Sequence, residues 1–364
     1  MVKNPEVVFV YLGNSFPNYA VASLKLAVEN SGMAVRILGN HVLKNKADVH
    51  GVAFTSIEDF YHPDQFKKIE EKVLSSHNFR QGFWLKTLER FFVIHQYMST
   101  FGISQVFHAE LDQLLFECSN LVKRIESLEK VGIFVPFHTV DKAVASIFYC
   151  NDIEALDSLL DYSKKENDFY NEMSLIAMWA NSNPNKIFAL PTLSTVITGS
   201  KVFAQHGIST LTPEQVGGIV DAAQLGQWVG GEDPRNIPIR IRPTNHYHEA
   251  KNLEIVSKSQ LSKSQLSLQK NGHLIITTEN SNSLRVYNLH IHSKVHSWIW
   301  RSEDNLSNLI VKSNQNFPTR LHAARKLQLK CFAEDALFSF LTSPLYVFRR
   351  HGRNIFRYIN LNKH

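Results

Sequence analysis

The 364-residue chain has little cysteine, no long apolar run and no strong excess of one charge. Its three cysteines, Cys118, Cys150 and Cys331, make neither a CxxC pair nor a zinc spacing, and an odd number does not build a disulfide framework. Such usage fits a reducing compartment. Apolar runs such as residues 7–12 are too short to cross a bilayer. Lys3, Asn4, Pro5 and Glu6 lead into a short strand, not into the long apolar core of a signal peptide. These absences predict a cytoplasmic protein. Charge is nearly balanced: 39 Lys and Arg stand against 33 Asp and Glu, for a net +6 and a pI near 9.0. The excess admits an anionic partner such as a nucleotide, but no Lys/Arg cluster in the core region marks nucleic-acid binding. With 44% apolar and 20% charged residues, the composition excludes a disordered, collagen-like or coiled-coil chain. Neither GxGxxG nor GxxxxGKS/T occurs, so both common nucleotide fingerprints are missing.

What is present reads as alternating strands and helices. Residues 7–12 form a continuous β-branched and aromatic run, the pattern of a buried parallel strand. Residues 17–29 then read as a helix closed by Gly32, and residues 34–38 as a second strand. Residues 83–97 place apolar side chains at helical spacing, with Gly102 as the stop. Residues 105–112 read as a strand running out into a loop. Further strands are expected over 131–137, ending near Pro136, over 143–150 and over 286–292, and a helix over 168–180. Residues 217–227 look like a strand entering a helix, followed by a Gly-rich turn over 230–236. The polar tract over 257–270 repeats Ser-Lys-Ser-Gln-Leu and reads as an insertion. Alternation from a parallel opening predicts an α/β fold, with ligands at the carboxyl ends of its strands.

Two clusters carry chemistry. In Glu110-Leu111-Asp112, strand alternation would point both carboxylates one way and Leu111 into the core. Two close carboxylates repel unless a cation or a proton stands between them, and hard oxygen ligands suit Mg²⁺ or Mn²⁺. The plain alternative is a pair of solvated acids. In Asn288-Leu289-His290-Ile291-His292-Ser293-Lys294, alternation puts Asn288, His290, His292 and Lys294 on one face. An imidazole can complete a Mn²⁺ shell, and a nearby ammonium can balance a departing phosphate. The plain alternative is a pair of hydrogen-bonded histidines on a half-exposed strand. Together the clusters suggest a cation bridging a diphosphate, with carboxylates on one side and a histidine on the other.

Several segments stand in one order over about residues 5–300. They are Tyr11-Leu12-Gly13-Asn14-Ser15-Phe16-Pro17-Asn18-Tyr19 and the helix from Trp84 through Glu89-Arg90-Phe91-Phe92. Phe107-His108-Ala109-Glu110-Leu111-Asp112 follows, with Glu in the first acidic place of a DxD element. Next come residues 144–151, Asn171-Glu172-Met173, Asp221-Ala222-Ala223-Gln224-Leu225-Gly226-Gln227 with residues 230–236, and the late strand 288–294. In that order they resemble bacterial GT-A-fold glycosyltransferases, and the resemblance implies a Rossmann-type mixed sheet flanked by helices, Mn²⁺ or Mg²⁺ as cofactor, a nucleoside-diphosphate sugar as donor and a glycan or lipid-linked acceptor. It also implies a place in cell-surface polysaccharide or lipopolysaccharide synthesis.

Position assigns the expected roles. Asp112 and His292 are the metal ligands, and Glu110 reaches the metal or the ribose. His290 stands behind His292 or near the diphosphate. Lys294 stabilises the leaving nucleotide. Glu172 and Asp221 are candidate bases, or respectively a solvated helix acid and a helix cap. Leu12, Gly13, Asn14, Asn151, Gln227, Gly230 and Gly231 are expected around the substrate. Arg90 could face a phosphate or make a surface ion pair.

Residues 1–300 are therefore read as the catalytic domain, with the insertion at about 257–270, and residues 301–364 as a helical C-terminal extension. In that extension apolar clusters precede Arg349, Arg350, Arg353 and Arg357, so it can lie on an anionic membrane at the inner face or pack on the domain. Two other functions stay open: a metal-dependent hydrolase built on His-x-His, and a degenerate carbohydrate- or nucleotide-binding protein.

Overall fold

A computed structural model describes residues 5–70, 83–166, 169, 171–198, 201–230, 264–269, 272–279 and 282–291. The residues form a mixed, mostly parallel sheet flanked by helices, which is the α/β class expected. The opening follows the reading closely: β1 (Glu6–Tyr11), α1 (Asn18–Asn30) and β2 (Val35–Gly39), with β2 parallel to β1. β3 (Val52–Ser56), α2 (Asp64–Glu70) and α3 (Phe83–Phe101) come next, then β4 (Val106–Ala109) and β5 (Gln113–Leu115). The middle of the chain supplies α4 (Cys118–Glu126), β6 (Ile133–Thr139), β7 (Lys142–Ala143), β8 (Ile147–Cys150), α5 (Ile153–Lys165) and α6 (Glu172–Ser182). After them stand β9 (Ile187–Leu190), α7 (Leu193–Thr198), α8 (Lys201–Gln205), β10 (Ser209–Thr210), α9 (Pro213–Val216) and α10 (Gln224–Gly230). Four strands complete the described chain: β11 (Gln265–Leu268), β12 (Leu274–Thr277), β13 (Ser283–Val286) and β14 (Asn288–His290).

The main sheet runs β10-β9-β6-β8-β4-β1-β2-β3, with β7 hairpinned onto β6. Only β8 in that row runs against its neighbours, so β1, β4, β6 and β9 all end at one edge. Its two faces are separate cores. Val8 faces the side of α3, α5 and α6, with Phe91, Leu159 and Trp179, whereas Val7 and Phe9 face Leu24 of α1 and Leu121 of α4. Successive residues on opposite faces, both apolar, are what a strand covered on two sides requires. A third cluster, including Leu114, Leu225, Leu266 and Leu289, underlies β5, β14, α10 and the β11–β13 meander.

Several boundaries differ from expectation. β6 passes through Pro136, because β8 has already parted from it there and no ladder donor is needed on that side. The stretch over 143–150 is two strands, β7 and β8. The late strand is broken at Tyr287: β13 belongs to the meander, and β14 pairs with β5. The tail of the polar tract is ordered as β11, whose Leu266 is buried. Residues 217–227 contribute only a single bridge, Ile219 to Val286, before α10 begins. The helix expected from 168 starts at Glu172, where Asn171 and Ser174 make a reciprocal capping box. Among the described residues no helix is long and apolar enough to cross a membrane. The extension over 301–364 lies outside the described residues.

Candidate metal centre

β4 stops at Ala109, and its last pairing partner across the sheet is Ile147. Glu110 N–H then donates to Ser146 O at 2.8 Å, and Gln113 N–H closes a tight turn onto Glu110 O at 3.0 Å. Glu110 and Asp112 therefore converge because they lie on a turn, not through strand alternation as the sequence suggested. Leu111 is buried at the foot of that turn. The turn delivers the chain into β5, and β5 takes β14 antiparallel with His290 opposite Gln113. Ile291 N–H donates to Asp112 O at 2.9 Å, which locks the register at the acids.

This pairing brings His290 to the carboxylates. Its Nε2 lies 3.4 Å from Asp112 Oδ1 and 3.6 Å from Glu110 Oε2. One ligand atom from each of the three residues falls within 4.8 Å of the others. Asp112 and His290 are buried and Glu110 partly so. Adjacent ligands of a six-coordinate Mg²⁺ or Mn²⁺, at about 2.1 Å from the ion, stand about 3 Å apart, so the cluster fits one dication with only small movements. Two carboxylate oxygens with one imidazole nitrogen favour Mn²⁺ over Mg²⁺ in donor chemistry. His292, expected as the ligand, and Lys294 lie outside the described residues.

The frame behind His290 is polar and well bonded. Asp221 accepts from His290 N–H at 2.9 Å, Leu225 N–H at 2.9 Å and Gly226 N–H at 2.7 Å. Burial pushes its carboxyl up, and these N–H groups with the His290 imidazole pull it back. Asp221 thus caps α10 and fastens it to β14. Asn288 accepts from Asp221 N–H at 2.8 Å and donates to Gln113 Oε1 at 2.7 Å. Gly226 faces the His290 backbone so closely that a Cβ there would overlap the His290 carbonyl, which explains a glycine inside a helix.

Arg90 is not at the surface, contrary to the surface ion pair considered above. It projects from α3 beneath the acids, buried, and donates through Nη1 to Glu110 Oε1. Its Nη2 lies 3.7 Å from Glu172 Oε1. Glu172 is buried as well and bonds the Thr87 hydroxyl at 2.7 Å, so it is not a solvated helix acid. Burial raises its carboxyl, against the pull of Arg90 and Thr87. One step back on β4, His108 bonds Val8 O at 2.9 Å, and burial holds its imidazole well below the usual range, hence neutral.

The loop Leu12-Gly13-Asn14 leaves β1 at the same edge, with Asn40 Nδ2 donating to Asn14 Oδ1 at 2.8 Å. Gln227 and Gly230 lie on α10, which packs on β14. Gly231 lies outside the described residues. Asn151 is not brought to this edge. It follows β8, whose end pairs with the start of β4, and there it accepts from Gly132 N–H and donates to Lys130 O. Sequence reasoning passed over Gln113, Thr87 and His138. Their positions carry no local signal, because each is set by a partner on a distant element. His138 at the end of β6 meets Gln224 at 3.5 Å, and Gln224 accepts from Ser194 at 2.8 Å, a second polar group on this edge.

The chain is similar to several solved glycosyltransferase structures. For mouse xyloside xylosyltransferase 1 in its apo form, identity is 10% over 57% of this chain and 94% of that one, with a TM-score of 0.35. For the galactosyltransferase LgtC with donor and acceptor sugar analogs, identity is 11% over 57% and 84%, at 0.35. For the glycosyltransferase GlyE of Streptococcus pneumoniae TIGR4, it is 14% over 56% and 50%, at 0.34. No protein family and no curated protein matches the sequence.

Proposed function

We propose that the chain transfers a sugar from a nucleoside-diphosphate sugar to a glycan or lipid-linked acceptor, with Mn²⁺ or Mg²⁺ held by Glu110, Asp112 and His290. The observation that carries this reading is the meeting of two carboxylates and one imidazole where the parallel strands end. Ligands of open α/β sheets sit in the crevice beyond that edge. A dication bound there supplies charge neutralisation for a diphosphate. The chain's own residues do the rest. Asp112 and His290 present their ligand atoms from two separate strand ends, and Asp221 fixes His290 through its backbone N–H. The uncharged loop over Leu12-Gly13-Asn14 offers amide and backbone groups to a nucleoside. Gln227 and Gly230, on α10, border the sugar side, where a bare backbone permits close approach, and Gly231 is proposed for the same role. Lys294, four residues beyond His290, balances the charge of the departing nucleotide. The acceptor belongs to surface polysaccharide or lipopolysaccharide assembly at the cytoplasmic face, and the basic segment over 349–357 is the proposed membrane contact.

The test is a panel of nucleoside-diphosphate sugars incubated with the protein and Mn²⁺, followed by chromatography of the nucleotide. One donor is expected to yield its nucleoside diphosphate slowly with water as acceptor, and Asp112→Asn is expected to stop that release. Release independent of the cation, or cleavage of simple phosphate esters instead, would contradict the transferase reading; the second result would favour a metal-dependent hydrolase.

A further inference from the structure

Glu110 gives its two carboxylate oxygens to different neighbours. Oε2 faces His290, whereas Oε1 is taken by Arg90. Arg90 is 4% exposed, and Glu172, on its other side, is likewise 4% exposed. Both side chains are buried, so neither presents its charged end at the surface. A buried guanidinium needs a carboxylate, and Glu110 already supplies one. The second carboxylate matters for the charge of the site. Glu110 and Asp112 carry two negative charges, the complement of a dication. Arg90 by itself would halve that charge, and Glu172 restores it, so the four groups together carry the same two negative charges as the acid pair alone.

We infer that Arg90 and Glu172 form a charge-neutral positioning pair: Arg90 fixes Glu110 with one oxygen turned to the cation, and Glu172 cancels the guanidinium charge that the cation would otherwise meet. Neither residue touches cation or substrate. The inference rests on reading Glu110, Asp112 and His290 as a cation site. Thr87 completes the device by holding Glu172 Oε2. An ordinary structural ion pair between α3 and α6 would use the same two residues, but it would not link their charges to cation affinity.

The experiment is Mn²⁺ binding to the full chain without nucleotide, read from free Mn²⁺ by electron paramagnetic resonance, with circular dichroism as the check on folding. Glu172→Gln leaves Arg90 uncancelled and is expected to weaken Mn²⁺ binding about tenfold or more. Glu172→Asp, which keeps the charge, is expected to stay within about threefold of wild type. Adding Arg90→Gln to Glu172→Gln removes the uncancelled charge while leaving an amide N–H to hold Glu110, and is expected to recover most of the loss. A structural pair predicts the opposite, further damage on the second substitution, and that result overturns the inference. So does wild-type affinity in Glu172→Gln while Asp112→Asn abolishes binding. If the wild type binds no Mn²⁺, or Asp112→Asn binds it normally, the cation-site reading itself fails. Should Glu172→Gln not fold, Thr87→Val loosens Glu172 without changing any charge. A two- to threefold loss is then expected, and an unchanged affinity overturns the pair.

Discussion

β1 and β4 lie side by side, run parallel and end at the same edge of the sheet, yet their ends are built on opposite principles. Beyond β1 the chain turns through Leu12, Gly13 and Asn14, uncharged and partly open to solvent, tied by the amide of Asn40. Beyond β4 it turns through Glu110 and Asp112, roofed by β14 and floored by α3 and α6, with Arg90, Glu172 and His290 packed against them. Among the described residues away from that turn, burial acts on two free thiols. It pushes the Cys118 and Cys150 thiols up to about 12. At the end of β4 burial also disfavours the charged forms of Arg90 and Glu172, but each has a counter-charge within reach. A cluster of that kind costs stability unless its members stay paired.

The contrast is broken most severely at Asp112. Asp112→Asn keeps the shape and removes one ligand charge; Mn²⁺ affinity measured by calorimetry should fall about a hundredfold or more. Asp221→Ala attacks the roof by stranding three buried N–H groups, and should lower unfolding free energy in urea by about 3 kcal/mol. Gly226→Ala drives a methyl into the His290 backbone. It should cost about 2 kcal/mol by the same measurement and weaken Mn²⁺ binding as β14 shifts. At the end of β1 the expected effects are small. Asn14→Ala should change stability by less than about 0.5 kcal/mol and leave Mn²⁺ affinity intact, because that bond is exposed and uncharged. A loss of Mn²⁺ binding in Asn14→Ala would erase the distinction between the two ends. The neutral interior has its own check. With thiol values raised, neither Cys118 nor Cys150 presents a thiolate at pH 8, so iodoacetamide followed by peptide mass analysis should find both unlabelled until the chain is unfolded.

The same contrast explains what could be read without coordinates. The end of β1 was legible because its signals are local: a β-branched run, a glycine, a proline before the helix, all within a dozen residues. The acids at 110 and 112 were legible as a pair for the same reason. Their partners were not. His290 reaches them through the β5–β14 register, beside which Asn288 bonds the side chain of Gln113, 175 positions away in the chain. Alternation along residues 288–294 put His290 and His292 on one face and did not single out His290, which the register sets beside the turn. Arg90 and Glu172 each sit on a helix whose pattern shows polar residues among apolar ones. That pattern does not say that the two side chains turn inward to each other. Asn151 misled for a related reason: its strand, β8, runs opposite to its neighbours, and no periodicity reports direction.

The central claim is that the end of β4 binds a cation together with a diphosphate. Thermal unfolding with a panel of nucleoside diphosphates, each with and without Mn²⁺, tests it on wild type and on Asp112→Asn. Ligands that bind only the folded chain raise its midpoint by mass action. The account predicts a rise with one nucleotide that requires Mn²⁺ and disappears in Asp112→Asn. A folded wild type whose midpoint no nucleotide moves, or a rise that survives both removal of Mn²⁺ and the substitution, would contradict it.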